Sequence, residues 1–540
     1  MALTKVSYSM IEGSPVSVLD YGADPTGVAD STAAINAAIA SGKSVYFPRG
    51  TYLTVGGHVI PYPSRQRFFG DGWNATIIKK SSGTNMVFDI TQFAECSFSD
   101  FTVDANNLGG TVFMWRAHYS TIKNVNVLNV GGTSYGFHIS GSNLCQFENV
   151  AVQLSYGGFK IDASTDPLPV NPLYGMYYSS FEHCTAAVRN LVSNTAESAL
   201  YFGGPIISRI AFENFYFEVD GPATNKAPIY FDSSCSNVAS IAFNQLTSET
   251  LGGSQPIIDI KSAVIYDIAF NNGAFNVSAP MTSPMVNAIA VNNLVFNSCT
   301  FADAFTVSPE VFSLYACENV VIQSTQAQFV NNFRFYNDTG LNYSVALRNN
   351  YRRVFGSFTG TGTINLTPSS SYTVIENTDF SVLTNQKNGQ LPQVTYKNIE
   401  NKFTQTPCGW TQVADDGFYD IFGDGGATSP TTPFAGVITI HALPINGNIV
   451  ATSADNFATF YAQSNVNSGA QAYTAIQVGS NVDIDALADG ALPALANTTD
   501  GKLGVQIGGG GNESSRAIRI YNRTGATVRL NVAVQSFISA

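Results

Sequence analysis

Residues 210–219 read IAFENFYFEV, residues 241–250 read IAFNQLTSET, and residues 268–277 read IAFNNGAFNV. In each, an aliphatic residue lies two places before an aromatic, a polar residue lies two places after it, and small or apolar residues lie three and five places after it. The pattern extends outward in both directions. Its starts fall at Phe98, Ile122, Phe147, Phe181, Phe212, Phe243, Phe270, Phe296 and Ile322, spaced by 24 to 34 residues. A period of this length marks a repeat architecture whose units bury their apolar faces only by stacking.

The position two after each start is Asp100, Asn124, Asn149, His183, Asn214, Gln245, Asn272, Ser298 and Ser324. This mostly polar column suits a bend at which side chains bond backbone groups. Each unit therefore reads as a strand, a sharp bend, and a second strand whose third and fifth positions, such as Phe215 and Phe217, point inward. A third strand precedes the pair at Phe88, Phe137, Phe159, Leu200, Ile229 and Ile258. Three strands per coil predict an all-β chain built as a parallel β-helix.

Composition narrows the function. Charged residues are 12% of the 540, the hydrophobic fraction is 44%, and there are 25 Tyr and 37 Phe, so the surface must be rich in Asn, Ser, Thr and Gly. A formal charge of -12 argues against nucleic acid or an anionic membrane as partner. No apolar run approaches the ~18 residues of a membrane span, and residues 1–15 lack the basic start and apolar core of a signal peptide. The seven cysteines show no CxxC or Cys/His spacing, so no metal site or cofactor is expected. Cys96 and Cys145 share one inward column and Cys184 and Cys299 another, as reduced, buried fillers that fit folding in a cytosol.

Ahead of the repeats, residues 16–19 read as a strand, 22–27 as a turn-rich loop, and Asp30 or Ser31 as the cap of a helix. Ile35, Ala38 and Ile39 share one face of that helix and Gly42 ends it. Such a helix would cover the open edge of the first coil. The run VSVLDYGADPTGVADSTAAINAAIASGKSVYFPRGTYL closely resembles the N-terminal cap of the pectate-lyase-like right-handed parallel β-helix proteins, especially phage tailspikes. Asp20, Gly22, Ala23, Gly27, Asp30, Thr32, Ala34, Ala37, Phe47, Pro48, Gly50 and Tyr52 carry the likeness. The same cap precedes polygalacturonases, lyases, endorhamnosidases and inactive binding spikes, so it implies a fold more than a chemistry.

The expected organisation is a lead-in or virion joint over 1–15, the cap segment over 16–66, a parallel β-helix with a substrate groove over 67–353, and a connecting β region over 354–406. A C-terminal antiparallel β-sandwich over 407–540 follows, with six short alternating strands between Gly and Asn turns. By the resemblance it serves trimerisation or carbohydrate binding. Excursions at 162–178, 189–198 and 220–228 interrupt the middle coils and read as groove walls, the first containing Pro167, Pro169, Pro172 and Tyr174.

Outward positions stack about 4.8 Å apart on successive coils. Six places after each start this puts Glu218 beside Glu249, and Asp220 should point the same way. Carboxylates about 5 Å apart suit a retaining glycosidase, and roughly 6.5–9.5 Å admits a water and gives inversion. Their mutual repulsion also raises one pKa, as a general acid requires. The same acids suit an exposed sheet face. A rival column, Glu148, Glu182 and Glu213, lies at the bend.

The third strand adds an outward column of Asp89, Met114, His138, Lys160, Tyr201, Tyr230 and Asp259, flanked by Arg116, Asp162 and Asp232. Tyr201 and Tyr230 offer planes for sugar rings, and His138, Lys160, Arg116 and Asp232 offer polar contacts. An elimination mechanism would use Lys160 or Arg116 to neutralise a uronate, His138 as base and Tyr201 as acid. No histidine lies between two glycines and no calcium-ligand cluster is visible, which argues against pectin.

The resemblance implies a homotrimeric phage tailspike. It would be made in the host cytoplasm without a signal peptide, carried on the virion tail through another tail protein at its N-terminus, and would not insert into membranes. Its expected action is hydrolysis of a bacterial capsular or other surface polysaccharide for host adsorption. A metal-independent lyase and a non-catalytic receptor-binding spike are the alternatives.

Overall fold

The computed structural model describes residues 13–352 except 92–93, 163–174, 190–194, 221–222, 225, 251–254, 262–264, 278–279 and 304–309. Beyond 352 it describes the strands named below with a few adjoining residues. The chain is a parallel β-solenoid of about 12 turns followed by further sheets. It divides into two compact units, residues 1–333 with 350–360, and residues 334–349 with 361–540.

The repeat dictates the coils of the first unit. A first long strand such as Ile207–Glu213 pairs in parallel with Val238–Asn244 of the next coil, Phe212 opposite Phe243. It ends at Asn214, and Tyr216–Val219 continues along a second ladder, paired with Thr247–Thr250. The bend is a left-handed residue in every repeat: all nine positions from Asp100 to Ser324 have φ between 50° and 63°. Asn and Asp tolerate that conformation because their short side chains can bond locally. Here they also bond each other between coils, Asn124 Nδ2 donating to Asp100 Oδ1 at 2.9 Å and Asn149 Nδ2 to Asn124 Oδ1 at 2.8 Å.

Inward positions form continuous stacks. Phe147, Phe181, Phe212, Phe243, Phe270 and Phe296 run ring on ring with centroids 4.5–4.8 Å apart. The third-strand ladder adds Phe88, Phe113, Phe137 and Phe159 at 4.8–5.2 Å. Each fully buried Phe stabilises by about 1.5–3 kcal/mol through area, with roughly 0.5–1.5 more per stacked pair. Cys96, Cys145, Cys184, Cys235, Cys299 and Cys317 are buried free thiols.

The cap helix spans Thr32–Ala40 and buries Ala34, Ile35, Ala38 and Ile39. Asp30, not Ser31, bonds its first turn, accepting from the Thr32 amide at 3.3 Å and hydroxyl at 2.7 Å. The Ser31 hydroxyl instead accepts from the Asp24 amide. His58 ties helix to coil, its ring nitrogens 2.6 Å from Asn36 Oδ1 and 2.7 Å from Thr54 Oγ1. The expected strand over residues 16–19 is shorter: Val16–Ser17 are extended, and Val18–Tyr21 turn as a 3-10 helix closed by Gly22 at φ 89°. The following loop gives way to a strand, Thr26–Asp30, paired with Gly50–Thr54.

The second unit has parallel ladders of its own, Tyr343–Arg348 with Thr373–Glu376 and Val394–Lys397, and Gly362–Leu366 with Ser381–Thr384. Two further sheets then face each other. One orders Trp410–Val413, Val528–Ser536, Phe434–Pro444, Phe457–Ser464 and Gln471–Val478; the other orders Gly417–Asp420, Ile518–Arg523, Lys502–Ile507 and Val482–Ala486. Ile438, Ile440 and Phe460 from the first meet Leu503, Val505 and Ile520 from the second in a common core. The sandwich departs from antiparallel pairing at one place, where Val482–Ala486 runs parallel to Lys502–Ile507.

Candidate functional site

The third-strand column has the register expected of it. Asp89, Met114, His138, Lys160, Tyr201, Tyr230 and Asp259 stand opposite one another on successive coils. Their side chains form an alternation of cations and rings. The Lys160 ammonium lies 5.3 Å from the centre of the Tyr201 ring, Lys226 lies 4.7 Å from Tyr201 and 5.7 Å from Tyr230, and Lys261 lies 5.5 Å from Tyr230. Each cation also holds a carboxylate: Lys160 with Asp162 at 3.0 Å, Lys226 with Glu197 at 2.7 Å and Lys261 with Asp259 at 3.1 Å. Arg116 pairs with Asp89.

A cavity of about 370 Å³ opens over this face, walled by Thr133, Tyr135, Tyr156, Lys160, Glu197, Tyr201 and Lys226. Glu197 is 4% exposed. The Tyr156 hydroxyl donates to it at 3.2 Å, and the Tyr135 hydroxyl bonds it as well. Asp232 takes a hydrogen bond from Tyr201 and, at 2.9 Å, one from the Ser234 amide. Burial, with the negative charge of Asp232 and Asp259 adding, pushes Tyr230 up to about 12, and burial raises Tyr201 further. Both phenols are therefore neutral donors. Burial, then the Lys160 charge, lowers His138 to about 4, so at neutral pH its imidazole is uncharged and able to accept a proton.

Five wall residues, Thr133, Tyr135, Tyr156, Glu197 and Lys226, escape the repeat alignment. Glu197 and Lys226 lie on two of the expected excursions, which the structure joins: Thr195–Ala196 pairs in parallel with Ala223–Thr224. Tyr135 lies two residues before Phe137, outside the aligned columns. It faces Gly157, where an added Cβ would lie 2.6 Å from the Tyr135 ring, so a glycine opposite an aromatic marks the opening. The part of the first expected excursion that carries Pro167, Pro169, Pro172 and Tyr174 lies outside the described residues, and the excursion ends before residue 178, because Met176–Glu182 is already a strand of the coil.

On the second ladder Glu218 and Glu249 face each other on adjacent coils. The Tyr216 hydroxyl donates to Glu218 Oε2 at 3.3 Å and is within reach of Glu249; burial and the two acids push Tyr216 up to about 12. Among the described residues neither carboxylate meets a cation. Asp220 lies just beyond the Tyr216–Val219 strand, and its carboxylate is held by Arg189 of the preceding coil. The hydrolytic pair does not wall the cavity. Glu148, Glu182 and Glu213 also stack in register, with Lys123 donating to Glu148 at 2.6 Å at one end and Asn244 to Glu213 at 2.6 Å at the other. No cluster of three or more His, Cys, Asp or Glu arranged for a metal ion occurs among the described residues.

Residues 15–166 match the family described as rhamnogalacturonase A/epimerase, pectate lyase-like. The chain is 32% identical over 174 residues to mannuronan C5-epimerase AlgE1 of Azotobacter vinelandii, which covers 27% of this chain and 12% of that protein. It is 30% identical over 176 residues to AlgE2 of the same organism, 18% of that protein. The chain thus matches less than a fifth of the length of these relatives. Among solved structures, the pre-mature gene product 12 of bacteriophage phi29 aligns with 72% of this chain and 56% of its own, at 15% identity and a TM-score of 0.50, a likeness of fold.

Proposed function

We propose that this chain is a tailspike-type depolymerase that lays a bacterial surface polysaccharide across its middle coils and hydrolyses it with Glu218 and Glu249. The observation that carries the reading is the placement of these two acids. They are in register on adjacent coils, share one tyrosine hydroxyl and have no cation among the described residues. Like charges directly opposite on a sheet are unfavourable. The pair can lower that cost by holding one proton between its two members, which supplies an acid and a base together. The protonated carboxyl gives its proton to the glycosidic oxygen, while the other acts as nucleophile or activates water. Asp220, neutralised by Arg189, fixes the end of the strand rather than sharing the proton. Tyr201, Tyr230, Lys160, Asp232, His138 and Arg116 form the sugar-binding face. The relatives named as mannuronan epimerases support a polysaccharide as ligand. The homotrimer, the place on a phage tail and the attachment through another tail protein rest on the likeness of the cap segment to tailspikes.

Elimination is the second reading, favoured by the uncharged His138 between Arg116 and Lys160. The two mechanisms differ in their products. Incubated with capsules from a panel of strains, the protein is expected to raise reducing ends without ultraviolet absorbance. Glu218→Gln and Glu249→Gln should each lower the rate by about 10²–10⁴-fold. Full activity in both variants overturns the hydrolytic pair. Ultraviolet absorbance lost in His138→Gln installs the lyase, and binding with neither product leaves a receptor-binding spike.

A further inference from the structure

A second left-handed column runs along another corner of the solenoid, three residues before each repeat start from Ile122 onward. Tyr119, Leu144, Tyr178, Arg209, Ser240, Asp267, Asn293 and Asn319 all have φ between 49° and 60°. They follow coil on coil: Tyr178 and Arg209 lie between the paired residues Tyr177–Ser208 and Ser179–Ile210, and Arg209 and Ser240 between Ser208–Ala239 and Ile210–Ile241. From Ser240 onward the column holds small polar residues, which accept this backbone at least cost. Asn293 Nδ2 even donates to Asp267 Oδ1 at 2.7 Å, as in the other bend column.

The four preceding coils break that rule. Bulky side chains at positive φ are strained, and strain retained in a fold clusters where it serves a function. These residues gain no burial in return, since Tyr119, Leu144 and Tyr178 are 66%, 44% and 49% exposed. The Arg209 guanidinium stacks over the Tyr178 ring, 4.7 Å from its centre. Arg116, Lys123, Lys160, Arg189, Lys226 and Lys261 all hold carboxylates, whereas Arg209 has none among the described residues. A groove of about 470 Å³ opens beside it, lined by Asn143, Tyr177, Tyr178, Ser208, Arg209 and Ser240, and shares no wall residue with the cavity at Tyr201.

We propose that this corner is a second saccharide site, specific for a sugar that carries a carboxylate. The Tyr178 ring takes the apolar face of the sugar. Arg209, which lies over the other face of that ring, offers the carboxylate its fork of N–H donors. Asn143, Ser208 and Ser240 meet hydroxyls. Such a site would retain an acidic polymer while the other face releases cleaved ends. The inference rests on a polysaccharide being the ligand, and its test reads binding rather than cleavage, so the two fail separately.

The experiment titrates the full chain carrying Tyr201→Ala, which disables the cavity, with tetragalacturonate and with maltotetraose by calorimetry. Tetragalacturonate is expected to bind at least tenfold more tightly than maltotetraose. Arg209→Gln and Tyr178→Asn should each weaken it at least tenfold, while Tyr178→Phe keeps the affinity. Asn is the column's own choice for this backbone, so Tyr178→Asn should also melt at a higher temperature, separating lost binding from lost fold. No binding, equal binding of the acidic and neutral probes, or unchanged affinity in Arg209→Gln overturns the site.

Discussion

Phe212 and Tyr201 belong to neighbouring strands of the same coil, and each sits in a stack of aromatic rings, one inside the solenoid and one outside. Inside, Phe212 lies between Phe181 and Phe243 at 4.6 and 4.8 Å with planes within 12° of parallel. Outside, Tyr201 meets Tyr230 at 5.7 Å and 40°, with lysines over both rings. The inner stack is periodic because every coil must fill the same space, and uniformity is what stabilises it. The outer stack is freed from that demand, so its composition changes from coil to coil. The variation, more than the repeat, supports the proposed sugar-binding face.

The sharpest way to break this contrast is to remove a ring inside and a hydroxyl outside. Phe212→Ala opens a cavity that its stacked neighbours cannot close and should cost about 3–5 kcal/mol, read from the denaturant midpoint. Tyr201→Phe removes one hydroxyl from Asp232 and should cost about 1 kcal/mol, while weakening polysaccharide binding. Equal stability losses would mean that the Tyr201 hydroxyl serves the fold rather than a ligand.

Buried histidines give a smaller, pH-dependent effect that also separates inside from outside. His58, under the cap helix, and His138, on the outer face, are both lowered to about 4, in each case chiefly by burial. Since the unfolded chain takes up these protons first, near 6.5, the fold loses stability as pH falls from 6.5 towards 4 and no further from these groups below it. The slope is at most about 1.4 kcal/mol per pH unit for each histidine. Midpoints measured between pH 6.5 and 5 should fall in the wild type. His138→Gln should remove part of that slope, and an unchanged slope would show that His138 does not titrate.

The inner periodicity made the fold legible. Position two after each start, whether Asn149 or His183, announced a bend, and the structure puts a left-handed residue there every time. Register followed, so that Glu218 met Glu249 and Tyr201 met Tyr230. The cavity was illegible for the complementary reason. Glu197 and Lys226 come from excursions of unequal length that no column aligns, and their pairing depends on two short strands meeting outside the repeat. The corner column escaped the alignment, because Tyr178 and Arg209 are unremarkable residues until their φ is known. The second unit showed its strands through alternation, yet Trp410–Val413, Gly417–Asp420 and Val482–Ala486 were too short to stand out.

The smallest expected effect concerns the glutamate column at the bend, which could rival the outer face as a site of chemistry. Glu182 stands between Glu148 and Glu213 and accepts from Gln146 at 3.3 Å and Ser180 at 3.1 Å. Its two charged neighbours repel it, and Lys123 is committed to Glu148 in a pair whose side chains are 51% and 35% exposed. Exposed charge pairs of this kind contribute between 0 and about 1 kcal/mol, less in salt. Glu182→Gln keeps the shape and an amide acceptor while removing the repulsion. It should therefore be neutral or stabilising by a few tenths of a kcal/mol in dilute buffer, with the gain vanishing at high salt. A ladder that serves only the surface predicts full depolymerisation by this variant. Loss of depolymerisation with unchanged stability would move the chemistry from the Glu218 ladder to the bend.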